Sequence, residues 1–187
     1  MPSIRRRAVL TSTAVAVAVA AFPLAAHADT TSFNWRINNR MDGSHLALSG
    51  DAVGEGTRAF TVRSPALQKF KTARWTITEK ADGFFVFKNE LADKCLQPAT
   101  GAPAAGDNVI VKTCDESPLQ DWSRRDEVAE TNVNTEWGSL RPRTNTTIAI
   151  TLQSYEESAS WDQIYLDVDQ NSTDRLWHFT STNTTLK

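Results

Sequence analysis

GDNVIVKTCDESPLQDW (residues 106–122) and WDQIYLDVDQNSTDRLW (161–177) align without a gap at a shift of 55 residues. Both stretches end in Trp. Ile164 falls on Val109, Leu166 on Val111, Val168 on Thr113 and Asp169 on Cys114. Upstream, with one residue of slack, TLQS (151–154) falls on CLQP (95–98), which sets Leu152 on Leu96. The first third of the chain follows more loosely. LALSG (46–50) falls on KCLQP (94–98), Leu48 on Leu96, and RAFTVRS (58–64) supplies the next apolar segment. Trp75 then matches Trp122 once the loop between holds about three extra residues. Each unit also opens on an aromatic segment: FNWRI (33–37), FFVF (84–87) and EWGSL (136–140). Self-similarity at this period means a unit that cannot bury its apolar face alone and stacks against its copies.

The three units run over roughly 32–80, 81–130 and 131–187. Within them FFVFKN, NVIVKT and QIYLDV alternate or run apolar over four to six residues, bounded by Gly, Pro, Asn and Asp. That is strand punctuation. No stretch after residue 28 sustains a 3.6-residue period over a helical length. The expected class is all-β: three units of four short strands, closed or nearly closed into a barrel, which also leaves no open sheet edge. Trp75, Trp122 and Trp177 then sit on the last strand of each unit and fill the centre, with Leu48, Leu96 and Leu152 as further core residues. Contact with a ligand is the other reading of the three Trp.

Residues 1–28 read as a secretory signal. Arg5, Arg6 and Arg7 precede an alanine-rich apolar stretch, and Ala26-His27-Ala28 offers a small-residue cleavage site. The apolar run is short and ends at Pro23 and His27, which argues against a membrane anchor. Cleavage leaves residues 29–187 as one domain with 17 basic and 22 acidic residues, a net charge of −5. Nothing in that balance attracts a phosphate backbone, so nucleic acid is not an expected partner. Cys95 and Cys114 are the only cysteines. In an exported chain an isolated pair points to one disulfide. Two cysteines with only His45 and His178 nearby in type offer no zinc-ligand spacing.

The middle unit is similar to a ricin B-type β-trefoil repeat. KCLQP (94–98) gives the Cys-Leu pair, GDNVIVKTC (106–114) the Gly-x-x-Val strand ending in the second Cys, and QDW (120–122) the Q-x-W motif. The third unit keeps part of the pattern, with Arg175 in place of the Gln and no cysteine. The first has Ala73 there. The resemblance implies a β-trefoil with pseudo-threefold symmetry and agrees with a Cys95–Cys114 bridge. It also implies sugar binding, through an Asp after the Cys-Leu pair, a ring on the third strand and an Asn beside the Gln. A carboxylate takes sugar hydroxyls by charge-assisted hydrogen bonds, and a ring covers the apolar sugar face. Here those places hold Gln97, Lys112 and Leu119 in the middle unit, Gln153, Asp167 and Asp174 in the third, and Ser49 in the first. The usual triad is complete in no unit. A residual pocket is expected only in the third, from Gln153, Tyr155, Trp161 and Asp167, unless Tyr155 and Trp161 are plain loop residues.

Other chemistry finds no support. DVDQNSTD (167–174) opens like a calcium loop but lacks the glycine at its sixth place and the Glu at its twelfth. No G-x-S-x-G nucleophile motif occurs. The Asn145, Asn171 and Asn183 sequons matter only in a eukaryotic export route, whereas the leader looks bacterial. The expected protein is therefore a secreted module that is not an enzyme and uses no cofactor or metal. It docks onto another secreted protein, as trefoils of this kind do in bacterial toxin assemblies; a lectin with rearranged pockets is the alternative. Interface energy concentrates in aromatic and Arg side chains, which singles out Trp161, Tyr155, Trp137, Arg124 and Arg125 as contact candidates.

Overall fold

In the computed structural model, residues 28–64, 66–128, 135–153 and 161–182 are described. They form twelve strands joined by turns and short 3-10 segments. The first unit holds β1 (Thr30–Asn39), β2 (His45–Leu48), β3 (Ala59–Val62) and β4 (Trp75–Glu79). The second holds β5 (Phe85–Asn89), β6 (Lys94–Pro98), β7 (Val109–Lys112) and β8 (Trp122–Asp126). The third holds β9 (Gly138–Pro142), β10 (Ile148–Leu152), β11 (Trp161–Val168) and β12 (Trp177–Ser181). Every pairing is antiparallel. The outer strands of the units close a ring, β1–β4–β5–β8–β9–β12 and back to β1. The inner strands pair as hairpins β2–β3, β6–β7 and β10–β11 over one end of that ring. A barrel capped by three hairpins is the β-trefoil.

The three Trp show why the repeat folds this way. Each is fully buried. Trp75 Nε1 donates to the Leu46 carbonyl at 2.9 Å, Trp122 Nε1 to Leu96 at 3.0 Å and Trp177 Nε1 to Ile150 at 2.9 Å. One indole per unit thus fills the barrel and ties its wall to the overlying hairpin, with its polar atom satisfied. Ile37, Phe87, Leu140, Leu46, Leu96 and Ile150 pack around them without exposure above 1%. Leu48 and Leu152 are buried too.

The same bonds correct the hairpin register read from the sequence. Leu46 and Ile150, not Leu48 and Leu152, are the counterparts of Leu96. The strand pairs agree: Leu46↔Thr61, Leu96↔Val111 and Ile150↔Leu166. A slip of two residues returns every side chain to the same face, so period-two patterning cannot detect it. The Cys95–Cys114 disulfide ties the start of β6 to the chain beyond β7.

One half-buried titrating group links the first hairpin to the barrel. His45 Nδ1 donates to Asn38 Oδ1, and Asn38 Nδ2 donates to Thr180 Oγ1 at 2.9 Å. Burial, with Arg36 nearby, pushes the His45 pKa from 6.5 down to about 4, against the opposing pull of Asp42. The unfolded chain therefore takes up this proton near pH 6.5, and the folded chain only near pH 4. Stability from neutral His45 is complete above pH 6.5 and falls as the pH drops toward 4. Partial solvent exposure leaves an expected loss of about 1–2 kcal/mol. Denaturant melts at pH 7 and pH 4.5 measure it; His45→Asn should flatten the slope, and an unchanged slope would assign the effect elsewhere.

Candidate binding surfaces

With the register corrected, the place after the Cys-Leu pair is taken by Ala47, Gln97 and Thr151, all buried. None carries a charge. In the middle unit Gln120 Nε2 donates to Gln97 Oε1 at 3.0 Å and to the Thr113 carbonyl at 2.9 Å, while Gln120 Oε1 accepts from the Asp115 N–H. The Gln of the Q-x-W motif spends its amide on closing the hairpin. In the third unit Arg175 replaces it. Its guanidinium donates to the Val168 carbonyl at 2.8 Å, to Asp167 Oδ2 at 2.6 Å, to Ser172 Oγ and to Asp174. Both Asp of that unit's expected sugar place are thereby held by an internal cation.

The expected third-unit pocket does not assemble as read. Trp161 and Asp167 stand at opposite ends of β11, six residues and about 20 Å apart at strand rise. Gln153 lies toward the Trp161 end, where its N–H donates to the Gln163 carbonyl at 2.9 Å. Tyr155 lies outside the described residues. Asp167 and Trp161 share one face of the strand, but the strand runs without the turn that would gather them.

The contact candidates separate by what they touch. Trp161 is 51% exposed. Its ring stands edge-on to Phe60 at 6.0 Å, and Phe60 packs on Phe70 at 5.4 Å. Phe60 belongs to a second buried cluster with Ala47, Val62, Leu67 and Ala73. Because β11 pairs with β3, Trp161↔Val62, this ring bridges the first and third units. Trp137 is half-buried between the His178 ring, 5.3 Å away, and the Arg40 guanidinium. His178 Nε2 in turn lies 2.9 Å from Glu136. Arg125 makes a bidentate pair with Asp169 at 2.6 and 2.8 Å, a tie between units. Burial alone would raise the Asp169 pKa; the hydrogen bonds from Arg125 are the largest effect opposing it, and the carboxyl is held below its ordinary range. Arg124 pairs with Asp126 at 3.2 Å.

Phe33 was not among the candidates. It is 61% exposed and overhangs a groove of about 660 Å³ lined in part by Asn34, Thr76, Lys88, Glu90 and Asp93. Alternation through Phe33, Trp35 and Ile37 places all three inward. A bulge between Ser32 and Trp35 breaks the alternation, with Asn34 at φ 58° and its N–H donating to Glu90 Oε1 at 2.6 Å. Asn tolerates this left-handed backbone better than most residues, and that Asn was the one local signal. Among the described residues no group of His, Cys, Asp or Glu could hold a metal ion, and no helix is long and apolar enough to cross a membrane.

No protein-family model matches the chain, and no curated protein sequence matches it significantly. Solved structures do match. The designed threefold-symmetric protein ThreeFoil aligns with a TM-score of 0.66 at 14% identity, over 79% of this chain and 97% of its own. The Haemophilus ducreyi cytolethal distending toxin aligns at 0.61 and 15% identity, over 82% of this chain and 87% of the toxin chain. The C-terminal half of an earthworm R-type lectin, solved with GalNAc, aligns at 0.53 and 12% identity, over 79% and 97%. At these identities the likeness carries the architecture alone. Closed six-stranded ring, three capping hairpins, one tethered indole per unit and these neighbours together make the chain a β-trefoil.

Proposed function

We propose that the protein is an exported, non-catalytic binding module that docks onto another secreted protein through the surface around Trp161. The observation that carries this is an indole half open to solvent, seated on a buried aromatic base at the seam of two units. Rigid, amphipathic rings of this kind supply contact area at little entropic cost and dominate interface energetics. A domain of this size has room for one or two patches of about 800 Å². The disulfide supports an oxidising compartment, in keeping with the leader-like residues 1–28. The neighbourhood of a toxin chain supports an adaptor role in a secreted bacterial assembly.

A rearranged lectin is the second reading, and the Phe33 groove favours it. An exposed ring beside the Glu90 carboxylate could cover a sugar face and accept its hydroxyls. The two readings separate by variant. From native culture supernatant under mild conditions the protein should co-elute with a larger partner, and Trp161→Ala should weaken that association at least tenfold while Phe33→Ala leaves it unchanged. A lone chain at native abundance, or an association indifferent to Trp161→Ala, would overturn the docking reading. Glycan binding lost on Phe33→Ala would establish the second.

A further inference from the structure

The barrel register defines threefold-equivalent positions independently of sequence likeness. The bridges Trp35↔Trp75, Phe85↔Trp122 and Gly138↔Trp177 make Trp35, Phe85 and Gly138 counterparts. Two residues beyond each buried Trp stand Ile77, Arg124 and Phe179, opposite Phe87, Leu140 and Ile37. Side chains two apart share a strand face, so all three turn toward the barrel axis at the end away from the hairpin cap. Two are apolar. The third is an arginine, and next to it stands the one glycine in a set whose other members are Trp and Phe.

The two exceptions are coupled. A Cβ on Gly138 would lie 2.6 Å from Arg124 Nε, 2.9 Å from Arg124 Cγ and 2.9 Å from the Arg125 carbonyl oxygen. Glycine vacates the space that the arginine stem occupies. Packing gives no reason for the exchange, because a charge in an apolar layer costs stability unless fully compensated. Among the described residues the ion-pair partner of Arg124 is Asp126, whose carboxylate is 68% exposed, and such pairs contribute little. Departures from local consistency of this sort concentrate at functional sites.

The space beside Arg124 is open. A cleft of about 320 Å³ is lined by Trp35, Arg124, Glu136, His178 and Phe179. Across Trp35 and Phe179 lies a second cleft of about 150 Å³, whose lining includes Ile77, Phe85 and Glu79. We propose that this barrel mouth binds an apolar group bearing a single carboxylate. The carboxylate accepts from the Arg124 guanidinium, displacing the exposed Asp126, and the apolar body lies against Trp35 and Phe179. Glu79, Asp126 and Glu136 around the mouth disfavour a second negative charge on the ligand. A free organic acid and the carboxyl terminus of a polypeptide ending in an apolar residue share this chemistry.

Calorimetric titration of the folded chain tests it with four probes: octanoate, octanamide, a short peptide ending in Leu with a free carboxylate, and its C-terminal amide. At least one carboxylate should bind saturably, and at least tenfold more tightly than its amide, the order of a charge-assisted hydrogen bond. Tighter octanoate assigns a free acid; a tighter peptide assigns a chain terminus. Arg124→Leu should abolish the preference for carboxylate while raising Tm by about 2–4 °C, since it completes the apolar layer. Arg124→Gln should lose the preference at nearly unchanged Tm, and it answers the question should the leucine variant not fold. Equal binding of acids and amides, no binding of either acid, or a preference surviving both substitutions would overturn the proposal.

Discussion

Trp122→Ala is expected to lower the stability of the folded chain by about 3–5 kcal/mol, the range for deleting a large buried aromatic. Three terms act together. The ring is fully buried, so its whole apolar surface returns to water on unfolding. Truncation leaves a cavity in a barrel whose six strands are already hydrogen-bonded round, so the walls cannot collapse freely. The Leu96 carbonyl loses its donor at 3.0 Å and stays buried. Trp177→Ala should match it, because Ile150 loses the equivalent bond. Trp161→Ala is the control: half exposed, it should fall within about 0.5 kcal/mol of the native chain. Urea melts of the three variants decide the matter. Equal small losses at Trp122 and Trp161 would mean that the central indoles are not the core of the barrel.

Loss of the disulfide is the second large effect. Cys95 and Cys114 close a loop with a sequence separation of 19, and the chain-entropy estimate for such a loop is about 3 kcal/mol. The bridge spans the β6–β7 hairpin, whose side chains Leu96, Val109 and Val111 all enter the central cluster. Removing it frees the unfolded chain while the native contacts remain. The double substitution Cys95→Ser and Cys114→Ser should therefore shift the urea midpoint downward and steepen the transition, because the freed unfolded chain exposes more surface. Two free thiols in protein purified without reductant would contradict the bridge itself.

Much of the architecture was legible because large apolar side chains recur where a closed barrel needs them. The register between Val111 and Leu166, and between Trp122 and Trp177, follows from the ungapped repeat, since no insertion separates those residues. The hairpin register escaped by two residues, because Leu46 and Leu48 are both buried and face the same way. The third-unit pocket was misjudged for a geometric reason. Trp161 and Asp167 are near in sequence, yet an eight-residue strand holds them at its two ends. Phe33 was hidden by a bulge, which reverses the alternation on one side of it. Arg124 was marked for its charge, but its inward position and the room made by Gly138 depend on which strands are neighbours, and residue spacing alone does not carry that.

The binding surface is claimed to lie on the Trp161 ledge and not in the hairpin pockets, whose polar atoms are spent on the fold. The most direct test is a titration of isotope-labelled protein with galactose and N-acetylgalactosamine, followed by amide chemical shifts. The expected result is no saturable shift at millimolar sugar around Ala47, Gln97, Thr151 or Asp167, since none of these places offers a free carboxylate beside a ring. Saturable shifts confined to one hairpin, abolished by Gln97→Ala or Asp167→Ala, would contradict the assignment and return the pocket to use.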